Sequence, residues 1–131
     1  LFSEAEVTVA QTGLFPTVVS TSGANNGLFL NGTNTPGFNL SNGTYIASLA
    51  SPVTTGTIVR HAARAEINNV RGAINGTLTT LGTSFTPITG SRIVYIGSNI
   101  EVSARFNGYI RRIRILPTAT ADAQLQALTA P

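Results

Sequence analysis

An all-β sandwich of two antiparallel sheets, with one short C-terminal helix, is the fold class this sequence predicts, and three observations predict it. Apolar residues recur mostly at a spacing of two, the period of a strand with one buried face. The runs are short and are cut by Gly, Asn and Pro, which supply turns. Only the tail carries a helical pattern, and no repeat of solenoid or propeller length appears. The 131 residues fit one domain, 1–131. A chain of this size buries roughly two-thirds of the surface its unfolded form exposes, enough for a core without metal or disulfide.

The first strand is expected over 4–9, where Ala5, Val7 and Val9 share one face and Glu4, Glu6 and Thr8 the other. Further strands are expected over 15–21, 27–30, 45–49, 57–65, 70–74, 92–96 and 109–116. Between them, 23–27, 31–37, Asn42-Gly43 and Asn75-Gly76 supply the positive φ angles of tight turns, and Asn68-Asn69 reads as a hairpin turn. In the last strand Ile113 and Ile115 share one parity and Ile110 has the other. One extra residue near Arg111-Arg112 would restore the parity, which predicts a β-bulge there; the alternative is that Ile110 faces a second apolar layer. Pro117 ends that strand, and Thr120 is expected to cap a helix over 121–128. Asp122 then sits near the positive end of the helix dipole, and Leu125 and Leu128 form its apolar stripe.

Composition narrows the function classes. With no Cys, disulfide frameworks, thiolate catalysis and zinc-cysteine sites are excluded. With no Met, Leu1 reads as the edge of a processed or excised fragment of a longer protein. Charged residues are 10% of the chain, against about a quarter in an average globular domain, and Thr, Asn, Ser and Gly take their place. Such uncharged, hydroxyl- and amide-rich surfaces are common in extracellular and virion β-proteins. The net charge of +3 comes from eight Arg with no Lys, and no basic run is interleaved with aromatics, so nucleic acid is not the expected partner. No apolar stretch approaches a membrane span, and membrane insertion is not expected.

The segment from Asn68 onward resembles the concanavalin A-like, laminin G-like domains of bacteriophage tail and virion proteins. Val70-Arg71-Gly72-Ala73-Ile74-Asn75-Gly76 looks like that family's strand ending in an Asn-Gly turn, and Pro87 with Ile93-Val94-Tyr95-Ile96-Gly97 is similar to its strand-then-Gly element. Phe106-Asn107-Gly108-Tyr109-Ile110-Arg111-Arg112-Ile113-Arg114-Ile115-Leu116-Pro117, followed by Asp122-Ala123-Gln124-Leu125-Gln126-Ala127-Leu128-Thr129, looks like its closing strand and helix. Looser matches lie at Leu1 to Ala5 and at Phe15 to Ser20 with the Asn25-Asn26 turn, while further strands usual upstream in the family are missing. The resemblance implies a jelly-roll sandwich that recognises glycans or decorates a tail fibre, spike or virion surface.

Because related folds include polysaccharide hydrolases, the acids matter. Glycoside cleavage needs two carboxyl groups about 5 to 9.5 Å apart. Only Glu4, Glu6, Glu66, Glu101 and Asp122 exist, and Glu4 with Glu6 lacks the further acid that sandwich-fold glucanases carry, so the pair reads as a solvated outer face. His61 is the sole histidine, no Gly-x-Ser-x-Gly elbow is present, and Arg60 and Arg64 have the opposite parity, so His61 reads as a structural residue. One Asp is a poor basis for Ca²⁺, although Asn side chains and carbonyl oxygens leave that question open. No cofactor and no metal is expected, and the sequons at Asn31, Asn39, Asn42 and Asn75 are explained as turns.

What remains is a non-enzymatic binding module whose expected partner is a host-surface polysaccharide or glycan. Sugar recognition pairs an aromatic face with amides, hydroxyls or Arg, and Arg also suits acidic sugars. Tyr45, Tyr95 and Tyr109 are the aromatic candidates, and the expected site set is Tyr45, Arg60, Arg64, Tyr95, Asn99 and Arg105. These residues serve equally as rim packing and turn formers, and the absence of Trp removes the commonest stacking platform. A competing reading starts from Ala62, Ala63, Ala65, Gly72 and Ala73, whose small side chains admit a neighbouring element. On that reading the domain is a structural module contacting a homotrimer or other virion subunits, with no ligand of its own.

Overall fold

The computed structural model describes residues 2–8, 17–21, 26–30, 36–40, 45–48, 53–83, 93–98 and 105–131. They form ten strands and one helix: β1 (Phe2–Val7), β2 (Thr17–Thr21), β3 (Asn26–Leu30), β4 (Pro36–Leu40), β5 (Tyr45–Ser48), β6 (Ile58–Glu66), β7 (Asn69–Ile74), β8 (Thr77–Leu78), β9 (Val94–Ile96), β10 (Gly108–Arg114) and α1 (Asp122–Thr129). The first sheet has the order β10-β1-β6-β7-β8 and the second β5-β4-β3-β2-β9, with antiparallel pairs throughout. They stack with β4 against β6 and β7 and with β1 beside β2. The two-sheet sandwich with a terminal helix is therefore the observed fold.

Two strands go beyond the sequence expectation. β4 begins inside the stretch read as a turn, because Pro36 pairs with Leu30 as the first residue of its strand, where a missing N–H is tolerated. β8 is only two residues long and continues directly from Asn75-Gly76. That turn is as expected: φ is 48° at Asn75 and 79° at Gly76, the paired left-handed values of a type I′ hairpin. The β6–β7 hairpin turns one residue earlier than expected, at Ile67-Asn68, with Asn68 at φ 53°. Asn69 is drawn into the ladder opposite Glu66, whose carboxylate also accepts from its amide at 2.7 Å.

The bulge in the last strand is present. Glu4 pairs with Arg112 and Ala5 with Ile110, which leaves Arg111 as the extra residue. With the parity restored, Ile110 and Ile113 both pack against the fully buried Ala5.

Alternation then divides the first sheet. Ser3, Ala5, Val59, His61, Ala63, Val70 and Ile74 are buried on the face toward the second sheet. His61 lies opposite Ser3 and Ile74, on the other face from Arg60 and Arg64. On the outer face Phe2, Ala62 and Ala73 are buried beneath Leu125 of α1, flanked by Leu78 and Leu128. Of the small residues, Ala62 and Ala73 admit a neighbouring element, the chain's own helix, while Ala63 and Gly72 face the second sheet. The cap differs from the expectation: Ala121, not Thr120, is the N-cap, and Gln124 Oε1 accepts from the Ala121 N–H at 3.2 Å. Thr120 instead offers its carbonyl oxygen to Arg64 Nη1 at 2.9 Å. At the far end the buried Thr129 hydroxyl donates to the Leu125 carbonyl at 2.9 Å and accepts from the Gly76 N–H at 3.1 Å, tying helix to hairpin.

Candidate functional site

Helix α1 covers only part of the outer face of the first sheet. In the covered part Asp122 bridges two arginines that oppose each other across β6 and β7: its Oδ1 is 2.8 Å from Arg64 Nη1 and its Oδ2 is 2.6 Å from Arg71 Nη1. Arg64 also donates to Asn69 Oδ1 at 2.9 Å. Two like charges placed side by side on a sheet repel, and the carboxylate between them cancels that repulsion while fastening the helix. Arg64 is thereby committed to structure.

The uncovered part is built by β10, β1 and β6. Strand pairing sets Tyr109 beside Glu6, Arg112 beside Glu4, and Glu4 beside Arg60, all on one face. Arg60 Nε lies 3.3 Å from Glu4 Oε2, and the bulged Arg111 reaches Glu6 Oε2 with Nη2 at 2.6 Å. The two glutamates are thus half-buried partners of arginine rather than a solvated face, because the β10 and β6 neighbours on either side bring guanidinium groups to them. Asn75 accepts the Arg60 backbone N–H on its Oδ1 at 2.9 Å, which holds the strand and turn together. Tyr109 is 68% exposed, and Arg112 and Arg114 are exposed with no ion pair among the described residues. An exposed aromatic ring therefore sits beside unneutralised guanidinium groups, an arrangement suited to a ligand with an apolar ring face and an anionic group.

Of the six residues expected from sequence, only Arg60 belongs to this strip. Tyr45 and Tyr95 stand in β5 and β9, the opposite edges of the second sheet, about 19 Å apart at the usual strand spacing. Arg105 is exposed and precedes Phe106, whose N–H donates to the Gly97 carbonyl just beyond β9 at 2.9 Å, which puts Arg105 near the end of β9 and away from the strip. Asn99 lies outside the described residues. Arg111, Arg112 and Arg114 were not in the expected set, although three arginines within four residues of an edge strand, with no acid between them, were a readable signal.

The acids are otherwise engaged: Glu66 accepts from Asn69, Asp122 bridges its two arginines, and Glu101 lies outside the described residues. No group of three or more His, Asp or Glu gathers for a metal among the described residues. Beyond Arg114, an open groove of about 430 Å³ runs between the connection to the helix and α1, lined by Leu116, Pro117, Thr120, Gln124 and Leu128 among others.

No curated protein sequence matches this one. Among solved structures, the chain is similar to the CBM40 of Ruminococcus gnavus IT-sialidase bound to α2,3-sialyllactose, with a TM-score of 0.74 and 18% identity over 99% of this chain and 80% of that one. The same module bound to α2,6-sialyllactose gives 0.72 and 18% over 98% and 81%, and a further structure of it 0.71 and 19% over 98% and 80%. At such identities the likeness speaks to the fold. The family model described as the concanavalin A-like lectin/glucanases superfamily matches residues 4–126. A match over nearly the whole chain, on a sandwich of this topology, means that the protein belongs to the concanavalin A-like lectin/glucanase superfamily.

Proposed function

We propose that this domain is a non-catalytic glycan-binding module for an acidic host-surface polysaccharide, carried on a phage-type tail fibre, spike or virion surface protein. The observation that carries the reading is the strip that sets exposed Tyr109 beside Arg112, with Arg60 and Arg111 oriented by Glu4 and Glu6. The structurally similar CBM40 structures, two of them bound to sialyllactose, support a sugar as the ligand class. The virion setting rests on the sequence resemblance and on the sparsely charged composition. The absence of catalysis rests on the occupied carboxylates: the glutamate pair faces its own arginines instead of an open cleft.

The test is a glycan array followed by calorimetric titration with the strongest hit. Tyr109→Ala and Arg112→Ala are each expected to weaken binding tenfold or more, about 1.4 kcal/mol, with the unfolding midpoint unchanged. If both variants bind normally while Tyr45→Ala, Tyr95→Ala or Arg105→Ala abolishes binding, the sugar sits on the second sheet instead. Depolymerisation of any array polysaccharide by the isolated chain would overturn the non-catalytic part.

A second reading has its own observation. β9, the last strand of the second sheet among the described residues, exposes Val94 and Ile96, with Ile93 exposed just before it, an apolar strip at the sheet's margin. That edge suits contacts in a homotrimer or with other virion subunits. Molar mass in solution, compared between the wild type and Ile96→Lys, tests it.

A further inference from the structure

We infer that the face along β10 takes an extended acidic polymer over several sugar units rather than one terminal sugar. The inference rests on the glycan reading above and deepens it.

The contacts are strung along a line. Opposite β1, Tyr109 stands beside Glu6, Arg112 beside Glu4 and Arg114 beside Phe2, so the strip follows β1 over four residue steps, about 13 Å. It does not stop there. Leu128 packs against the core cluster that holds Phe2 and also lines the groove that opens at Leu116, so the track runs on from Arg114 toward that groove. A single sugar ring touches one part of such a track and leaves the rest in water.

Charge points the same way. The strip holds Arg60, Arg111, Arg112 and Arg114 against Glu4 and Glu6, a formal excess of two positive charges. That excess resides on Arg112 and Arg114, two residues apart on one strand and so about 7 Å apart at the backbone. Two guanidinium groups at that separation are best neutralised by repeated anions on one chain, each able to form a charge-assisted bidentate pair. Among the described residues no strand lies on the outer side of β10, which leaves that side of the described sheet open to a polymer that overhangs the domain. A nucleic acid is also a polyanion, but the strip offers a single exposed aromatic, where single-strand binding uses successive stacking platforms.

The experiment uses the whole chain and a size ladder of oligogalacturonates of about one, two, four and eight units, titrated calorimetrically at low and physiological salt. Affinity is expected to rise at least tenfold from one unit to four and to fall with salt. Arg114→Ala should weaken the four-unit ligand about tenfold and the one-unit ligand far less, a length-dependent loss that a merely structural defect would not produce. Equal affinity across the ladder overturns the inference and leaves the glycan reading standing. Failure of the whole ladder, with a neutral array glycan bound through Tyr109, also overturns it. Failure of every glycan on the array and of the ladder overturns the glycan reading itself. Tighter binding of a single-stranded oligonucleotide of equal charge would assign the track to nucleic acid and overturn the inference.

Discussion

At Gly108, where β10 begins opposite Val7, a side chain has no room: a Cβ would run into the Glu6 carbonyl oxygen and the Phe106 ring. The first obstacle is backbone that is itself held in the sheet, so it cannot yield as a flexible side-chain tip would. Gly108→Ala is therefore expected to cost about 3 kcal/mol or more, read as a fall in the urea midpoint at constant slope. A loss below about 0.5 kcal/mol would mean that β10 can start elsewhere. Gly76 contrasts with it. A Cβ there meets nothing closer than 3.8 Å, so its requirement for glycine comes from φ 79° and not from crowding. Both glycines follow an asparagine in the sequence, and the sequence alone does not distinguish the two causes.

Helix α1 shows how a short element with little intrinsic stability is held. Eight residues fall below the length at which an isolated helix persists in water, so its order comes from docking. Leu125 is fully buried against Phe2, Ala62 and Ala73, while Asp122 and Thr129 fasten the two ends. Leu125→Ala is expected to cost about 2 to 4 kcal/mol, measured by chemical denaturation, because the small alanines beneath it cannot fill the space. The elements legible in the sequence were those with a local cause: parity located the bulge at Arg111, and Asn75-Gly76 announced its hairpin. The cap at Ala121 was not legible, since alanine has no capping side chain and the contact made there comes from Gln124, which reaches back to the Ala121 N–H. The site was partly legible for the same reason. Alternation told that Glu4 shares a face with Glu6 and that Arg60 faces away from His61, but that Arg60 meets Glu4, and which stretch of that face the helix leaves open, depend on contacts between distant segments. Tyr45 and Tyr95 looked equivalent as residue types, and only the strand order sets them at opposite edges.

At the scale of the whole molecule, β6 and β7 each have a hydrogen-bonded strand on both sides, whereas β10 has one on a single side among the described strands. Hydrogen exchange followed by mass spectrometry should accordingly find the amides of 59–63 and 70–74 among the slowest of the described strands, with alternate amides of β10 exchanging early. Full protection of β10 in the free protein would reveal that another strand lies along its edge. The same topology orders events during folding. β6, β7 and β8 are joined by two-residue turns and can zip together as soon as they exist, but β1 is seated between β6 and β10, from the middle and the far end of the sequence. Of the described strands β1 comes first in the sequence and β10 last, so until β10 arrives one edge of β1 stays open to the wrong neighbour.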